Sequence, residues 1–304
     1  MNEIDQIQVH FNRESLFFLN ILIGFMMFGV ALDIKIEDFK NVLKSPKPIA
    51  VGLLCQYLLF PLGTLGLIHI FNPPASLALG MVLIAACPSG NMANYMTHRA
   101  KANVALSVSL NALIVLLSFV SIPLVFKFWS AYVPNIMSLG KMIEIPFFDM
   151  FILVTQLIIV PLGTGLFLNE KFPNIVAKIK KPISTVSLIL FFGFIIGAVV
   201  NNWDNVVKYL SLIFFIVLIH NALGLLVGYY TGKIFRLAEK DCQTLSIESS
   251  IHNTALGLII IFQFFNGLGG MAIVAAWYGT WDLIAPFAVA TYWSHKNGKK
   301  LIKD

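Results

Sequence analysis

The sequence predicts an all-α protein that crosses a membrane several times, because it is apolar, poorly charged and divided into long hydrophobic stretches. Of its 304 residues, 58% are hydrophobic and 12% are charged, whereas soluble domains carry about 25% charged residues. A helix needs roughly 20 apolar residues to cross a bilayer. Nine predicted spans cover residues 15–34, 48–71, 76–98, 103–127, 148–169, 182–201, 209–232, 244–265 and 270–294. Short polar segments connect them, so we predict no soluble domain.

The chain start and the cysteines do not change this prediction. The first residues, MNEIDQIQVHFNRE, are mixed in charge and lack the basic start and small-residue cleavage site of a signal peptide. We therefore interpret the first apolar stretch as a membrane helix. The three cysteines lie inside or beside spans and define no disulfide framework. They are Cys55, Cys87 and Cys242.

The basic residues predict the orientation of the chain in the membrane. With the N-terminus outside, 4 of the 21 lysines and arginines fall on the outer side and the other 17 on the inner side. The outer four are Arg13, Lys127, Lys141 and Lys208. Cytoplasmic loops carry such an excess of basic residues, so we predict a cytoplasmic C-terminus in the cell (inner or plasma) membrane. The net charge of +6 then sets topology, and we predict no nucleic-acid partner.

Similar polar interruptions in the two halves of the chain predict an inverted repeat. GLLCQYLLFPLG and FIVLIHNALGLLVG each place polar groups in mid-span, and CPSGNMAN matches SIESSIHNTALG. Spans 1–4 would correspond to spans 6–9, with span 5 as an extra helix. Interrupted segments at matching positions of inverted halves point to the midplane site of a transporter. The predicted divisions are an outer segment 1–14, a first repeat 15–128, an outer loop 129–147, a second repeat 148–295 and a basic tail 296–304.

CPSGNMAN predicts an opened helix near residues 87–91. Pro88 removes a backbone donor and Gly90 adds conformational freedom. A plain proline kink would explain both residues but not the accompanying oxygens of Ser89, Asn91 and Asn94. Opened backbone at membrane depth is tolerated where it is buried in protein or lines a cavity. Because an ion site needs several oxygens and a plain kink needs none, we interpret this segment as an ion site.

Two further segments supply oxygen atoms. Ser107 and Asn111 stand four residues apart, which places them on one helix face. Such small polar residues also act as simple contacts between helices. Glu248 is the one carboxylate that we assign to a span interior, and an ionisable group there marks a functional site. The alternative is that Glu248 lies at the cytoplasmic mouth, near Lys240 and Asp241.

This ligand chemistry favours a hard monovalent cation. A single carboxylate with neutral oxygens suits such an ion, whereas a divalent ion requires more carboxylates and zinc requires histidine or cysteine. Glu248 and His252, four residues apart, could indicate a metalloenzyme. However, the sequence contains neither HExxH nor a second nearby histidine or cysteine. The sequence also lacks a phosphate-binding loop and a nucleophile elbow. We therefore predict that the protein is not an enzyme.

These motifs resemble the bile acid:sodium symporter family over nearly the whole chain. The similar segments are PSGNMAN followed by ANVALSV, the Glu248 to Asn253 stretch, the span with Gln56, and the His220–Asn221 pair. The resemblance implies the nine-span form of the family. It also implies a core domain in which broken helices of spans 3 and 8 cross, a panel domain of spans 1, 5 and 6, and substrate bound between the domains.

The resemblance also implies sodium ligands. The first sodium site maps to Asn94, Ser107 and Glu248, while Ala93 replaces a serine and Asn111 a threonine. The second site maps to Gln56 and Glu248, but His252 replaces a glutamine, and imidazole nitrogen is a poor sodium ligand. Histidine titrates near physiological pH. The hypothesis is that one sodium is retained, and that the second is weakened, absent or replaced by a proton on His252.

The cargo implied by the resemblance is an organic anion, either bile-acid-like or a smaller organic acid. The spans show no basic clamping residue, so the anion would use the amide ends of the broken helices. The candidate substrate-binding residues are Asn91, Asn253 and Ser89. Asp282, where bacterial relatives carry other residues, is expected to face the outer vestibule. The bilayer is the other partner, and we predict no obligate protein partner.

Sodium-coupled import of an organic anion by alternating access is the predicted function. One alternative is a proton-coupled or mixed carrier in which Glu248 and His252 titrate. A channel or sodium-binding receptor with the same fold, and an intramembrane enzyme, are further alternatives.

Overall fold

The computed structural model describes residues 3–5, 21–22, 24–29, 31–32, 34–42, 44–90, 92–136, 139, 147–201 and 203–301. Within these ranges the chain is built from helices. They are α1 (Ile36–Val42), α2 (Pro46–Phe71), α3 (Ala75–Ala86), α4 (Met92–Arg99), α5 (Val104–Ser130), α6 (Phe147–Lys171), α7 (Pro173–Asn201), α8 (Trp203–Ile234), α9 (Glu239–Glu248), α10 (Thr254–Phe264) and α11 (Gly269–Leu301). Residues 21–22 and 24–29 of the predicted first span are also helical.

The long helices are membrane spans by length and composition. In the described part of the chain, five helical stretches are long and apolar enough to cross a bilayer. They are Pro46–Phe71, Val104–Ser130, Phe147–Lys171, Ser211–Ile234 and Gly269–Asn297. The protein is therefore an all-α, multi-pass membrane protein, as the composition predicted. Two shorter apolar helices, α3 and α10, belong to interrupted spans.

Helix also extends into segments that the sequence predicted as connections. Residues 36–42 form α1, whose first turn carries acidic Glu37 and Asp38 and whose last turn carries Lys40. These charges complement the helix dipole. Helix α7 begins at Pro173, before the predicted span at 182, and α11 continues to Leu301. Hydropathy marks where a helix enters the apolar layer, whereas the backbone hydrogen bonds continue into the polar region.

The N-terminal residues 3–5 contact the bundle. Asp5 is buried, and its Oδ1 accepts a hydrogen bond of 2.9 Å from the backbone N–H of Ser76, in the first turn of α3. Glu3 forms an ion pair with Lys208 near the start of α8. A carboxylate at a helix N-terminus satisfies a free N–H and favours the helix dipole. Residues 3–5 therefore stabilise one end of α3.

Two spans are broken at mid-length. Helix α3 ends at Ala86 and Cys87 is extended, with α4 beginning at Met92. We call residues 87–90 the first break. Helix α9 ends at Glu248, and α10 begins at Thr254 with the Asn253 side chain capping the Leu256 N–H. We call residues 249–253 the second break. The opening around Pro88 is therefore confirmed, and a comparable opening follows Glu248.

Close packing positions the helix that carries Glu248. Helix α8 presents Gly224, Gly228 and Gly232 at four-residue intervals, and all three contact the α9 segment or the second break. A Cβ atom on Gly228 would overlap the carbonyl oxygen of Leu245. Small residues allow two membrane helices to approach closely. This glycine stripe fixes how near α9 lies to α8.

We predict that Gly228→Ala lowers the thermal unfolding midpoint of the purified protein, because the added methyl group must push α9 away. Overpacking of this kind costs about 1–3 kcal/mol. Gly66→Ala is the control, since a methyl group at that position would meet no atom within 4 Å and alanine favours helix. Equal midpoints for the two variants would contradict the packing argument.

Candidate functional site

The two breaks cross and hydrogen-bond to each other. The backbone N–H of Asn253 donates to the Pro88 carbonyl at 2.8 Å, and the N–H of Gly90 donates to the Ile251 carbonyl at 3.3 Å. Ser89 and His252 thereby form an isolated antiparallel bridge. Backbone groups freed by a helix break must be satisfied inside the protein at membrane depth. Each break therefore supplies the hydrogen-bonding partners that the other has lost.

Glu248 lies beside this crossing and is 2% exposed. The hydroxyl of Ser89, from the first break, donates to its Oε2 at 2.5 Å. The hydroxyl of Ser107, near the start of α5, hydrogen-bonds with its Oε1. The carboxylate is thus buried and faces the first break instead of solvent.

Further oxygens and amides complete a group that we call the Glu248 cluster: Glu248, Ser89, Asn94, Ser107 and Asn111. The Ser107 hydroxyl lies 2.8 Å from Oδ1 of Asn94 while also contacting Glu248. The Asn111 amide nitrogen donates to Ser89 Oγ at 3.0 Å and to the Gly90 carbonyl at 3.3 Å. Three of the four neutral side chains come from positions that the sequence selected as cation ligands, and Ser89 was selected for substrate.

The Ser107 hydroxyl has two oxygen acceptors within reach but only one hydrogen to donate. A serine hydroxyl has one hydrogen to donate, yet the Ser107 oxygen lies within hydrogen-bonding distance of an amide oxygen and a carboxylate oxygen. Three oxygens therefore converge with one proton among them. A carboxylate buried beside two other oxygen atoms is energetically costly unless a positive charge is nearby. A cation of oxygen-preferring chemistry fits this arrangement.

Two residues of the predicted second sodium site, Gln56 and His252, make separate contacts. Gln56 lies in a π-helical turn of α2, Cys55–Leu59, and its amide nitrogen donates to the Cys87 carbonyl at 2.8 Å. The His252 ring stacks on Phe60 with ring centroids 4.9 Å apart, and neither ring nitrogen has a hydrogen-bond partner among the described residues. The structure thus describes Gln56 as a support for the first break and His252 as part of an aromatic stack.

The aromatic stack joins α2, α8, α11 and the second break. Phe60 is stacked on His220 at 4.8 Å as well as on His252, and the Tyr278 ring packs edge-on against both histidines. The His220 ring also hydrogen-bonds with Thr64 Oγ1 at 2.7 Å. His220 is therefore a buried, hydrogen-bonded residue of α8.

The candidate substrate residues occupy different environments. Ser89 is 1% exposed and belongs to the Glu248 cluster. Asn253 caps α10, and its amide nitrogen lies 3.6 Å from Sδ of Met27 in the predicted first span. Asn253 is thus at the contact between a break and that span. Asn91 lies outside the described residues.

Asp282 is the residue that the sequence interpretation misplaced. It was expected to face the outer vestibule, but it is 3% exposed within α11. Its Oδ2 accepts from the backbone N–H of His252 at 2.9 Å, and its Oδ1 accepts from the Asn221 amide at 3.0 Å. Glu248 is therefore not the one carboxylate inside a span. Asp282 lies near the middle of the predicted span 270–294. The rule that selected Glu248, that an ionisable group inside a span marks a functional site, would have selected Asp282 as well.

Comparison with known proteins identifies the relatives of this chain. Residues 20–209 match the sodium bile acid symporter family. The chain is 31% identical to the uncharacterized sodium-dependent transporter YocS of Bacillus subtilis (strain 168) over 287 residues, covering 93% of this chain and 85% of that protein. It is 26% identical to the human sodium-dependent organic anion transporter, over 97% of this chain and 78% of that protein.

A plant relative is also similar. The rice (Oryza sativa subsp. japonica) protein named "Probable sodium/metabolite cotransporter BASS2, chloroplastic" is 27% identical over 274 residues. The match covers 84% of this chain and 62% of the rice protein.

We predict that Ser89→Ala lowers the thermal unfolding midpoint in sodium-free buffer. The change removes a donor from Glu248 and an acceptor from Asn111, and a buried group left without its partner costs about 1–3 kcal/mol. The control is Ser118→Ala, because buried Ser118 bonds the Val115 carbonyl of its own helix. A loss as large in the control as in Ser89→Ala would show that the cluster contributes nothing specific.

Proposed function

The chain belongs to the sodium bile acid symporter family, and from this membership and the Glu248 cluster we propose that it imports an organic anion by sodium-coupled alternating access. The names of its relatives support sodium as the driving ion and an organic anion as cargo. Coupled ion and substrate are both cargo, and no chemical step is required.

The observation that carries the proposal is the meeting of Glu248, Ser107 and Asn94 beside the crossed breaks. Sodium is a hard monovalent cation, and one carboxylate with neutral oxygens suits it. Glu248 comes from α9, Ser107 from α5 and Asn94 from α4, so a bound ion would join three helices. We propose one sodium in this cluster and none held by the His252 ring.

Coupling follows from where the ion binds. Sodium neutralises Glu248 and fixes the relative positions of the two breaks, which are hydrogen-bonded through Ser89 and its neighbours. An ion shifts a conformational equilibrium only if it binds the two states with different affinity. We propose that the ordered crossing completes the anion site and that sodium therefore binds the substrate-loaded state more tightly. The sodium gradient then drives import.

The anion site belongs to the break ends that face the first span. Asn253 is part-buried there, at the N-terminus of α10 and against Met27. Helix N-termini bind anions through free N–H groups and the helix dipole. We propose Asn253 and Asn91 as substrate contacts and assign Ser89 to the sodium cluster instead.

The division of the chain remains part of the proposal. Spans 1–4 and 6–9 form inverted repeats, spans 1, 5 and 6 form the panel, and the crossed breaks lie in the core. The N-terminus is outside and the basic C-terminal segment is cytoplasmic, in the cell membrane. Access to the site alternates as the core shifts against the panel.

Sodium should stabilise the wild-type protein against heat, and Glu248→Gln should diminish this effect because it removes the charge of the Glu248 cluster. A ligand at 100 times its dissociation constant stabilises by about 2.7 kcal/mol. The measurement compares unfolding midpoints in sodium chloride and choline chloride. Glu170→Gln, on an exposed position of α6, is the matched control and should respond like the wild type. An undiminished sodium response in Glu248→Gln would sink the proposed ion site.

Purified protein in liposomes should exchange a labelled organic acid for the unlabelled acid in the presence of sodium. The acid is chosen by screening organic acids for sodium-dependent thermal stabilisation. Exchange without a gradient is the property of a carrier, because each cycle returns a loaded site. If an acid passes by simple leak, with no acceleration by unlabelled acid on the opposite side, the protein is a channel.

A further inference from the structure

The second break contacts a buried carboxylate besides Glu248. Asp282 is 3% exposed and accepts hydrogen bonds from two neutral donors, the His252 N–H and the Asn221 amide. In the described part of the chain, no lysine or arginine forms an ion pair with it. A buried carboxylate is strongly disfavoured unless a positive charge compensates it. Unless Asp282 is protonated, it therefore requires a positively charged partner that the resident side chains do not supply.

Oxygens converge on one point beside Asp282. The Asn221 amide nitrogen lies 3.0 Å from Asp282 Oδ1 and 2.9 Å from the carbonyl oxygen of Ser250. That NH₂ group occupies the position where a cation would meet both oxygens. The other end of the same amide, Oδ1 of Asn221, is buried, and the Tyr278 hydroxyl lies close to this amide. Rotation of the Asn221 side chain away from this point would free it for a cation, and Oδ1 could then face the ion as a third oxygen.

We propose that Asp282, Asn221 and the Ser250 carbonyl form a second site for an alkali cation. The inference rests on the proposed function, in that it takes sodium as the driving ion. It places the second ion on the same break as the first but on different residues. Glu248 precedes the break, whereas Ser250 and the His252 N–H lie within it.

The donor types favour a monovalent ion. The site offers one carboxylate, one amide oxygen and one backbone carbonyl, and a divalent ion would require more negative charge. The hydroxyl of Tyr278, one helical turn before Asp282 on α11, is buried beside the Asn221 amide and can supply a further oxygen. The His252 ring is stacked on Phe60. Asp282 thus supplies an oxygen ligand for a cation, which the His252 ring does not.

Two sodium ions on one break have a consequence for transport. Each compensates one carboxylate along the break, so import with a monovalent anion moves one net positive charge inward. The first ion holds Glu248, directly before the second break, and the second ion holds the Ser250 carbonyl within it, so each favours the ordered crossing that the other requires. Sodium binding should therefore be cooperative.

The test counts bound sodium. Equilibrium binding of radioactive sodium to the purified protein, with choline chloride as the balancing salt, should give two ions per wild-type chain and one for Asp282→Asn. Asp282→Glu keeps the charge and should retain two ions. Asp149→Asn changes an exposed aspartate of α6 and should also bind two.

Thermal unfolding in sodium-free buffer separates a binding role from a structural one. A structural carboxylate would lose stability in Asp282→Asn, whereas relief of an uncompensated charge leaves the midpoint equal to or above that of the wild type. Two sodium ions in Asp282→Asn, or a single ion in the wild type that Glu248→Gln abolishes, would overturn this second site and leave the proposed function intact. No sodium bound by the wild type would overturn both.

Discussion

The two breaks exchange backbone hydrogen bonds, and this exchange sets where the interrupted spans must cross. Each interrupted span exposes main-chain groups that water cannot reach, and such groups are tolerated only if the protein satisfies them. Pro88 and Gly90 on one break pair with Asn253 and Ile251 on the other. Neither break is stable without its partner, so the two spans must cross at this depth.

The surrounding helices hold the crossing in place. Gln56, in the π turn of α2, satisfies the Cys87 carbonyl, and the glycine stripe of α8 allows α9 to lie against it. Functional sites frequently use a π turn to redirect a side chain in this way. Helix α3 is buried on every residue, which fixes the first break at the centre of the bundle. A shift of any of these helices would change the oxygens that surround Glu248.

Much of this site could be predicted because its members are unusual in their local sequence. A proline, a glycine and several oxygens within an apolar stretch mark the first break, and a carboxylate in an apolar stretch marks Glu248. Asp282 is also a carboxylate in an apolar stretch, but it was overlooked because Glu248 was taken as the one carboxylate inside a span. For His252 the sequence left the contacts of the ring open, since a position matched to a ligand does not determine where its ring will pack. The connecting helix α1 was missed because hydropathy does not report hydrogen bonding.

The membrane class, the position of the first break and most members of the Glu248 cluster could be predicted from the sequence, because each follows from the composition of a single stretch. Which stretches meet depends on tertiary packing. Asp282, Asn221 and Ser250 lie on three separate segments, and their contact depends on how α8, α11 and the second break pack. Packing sums many weak contacts between distant parts of the chain, and no single stretch encodes that sum.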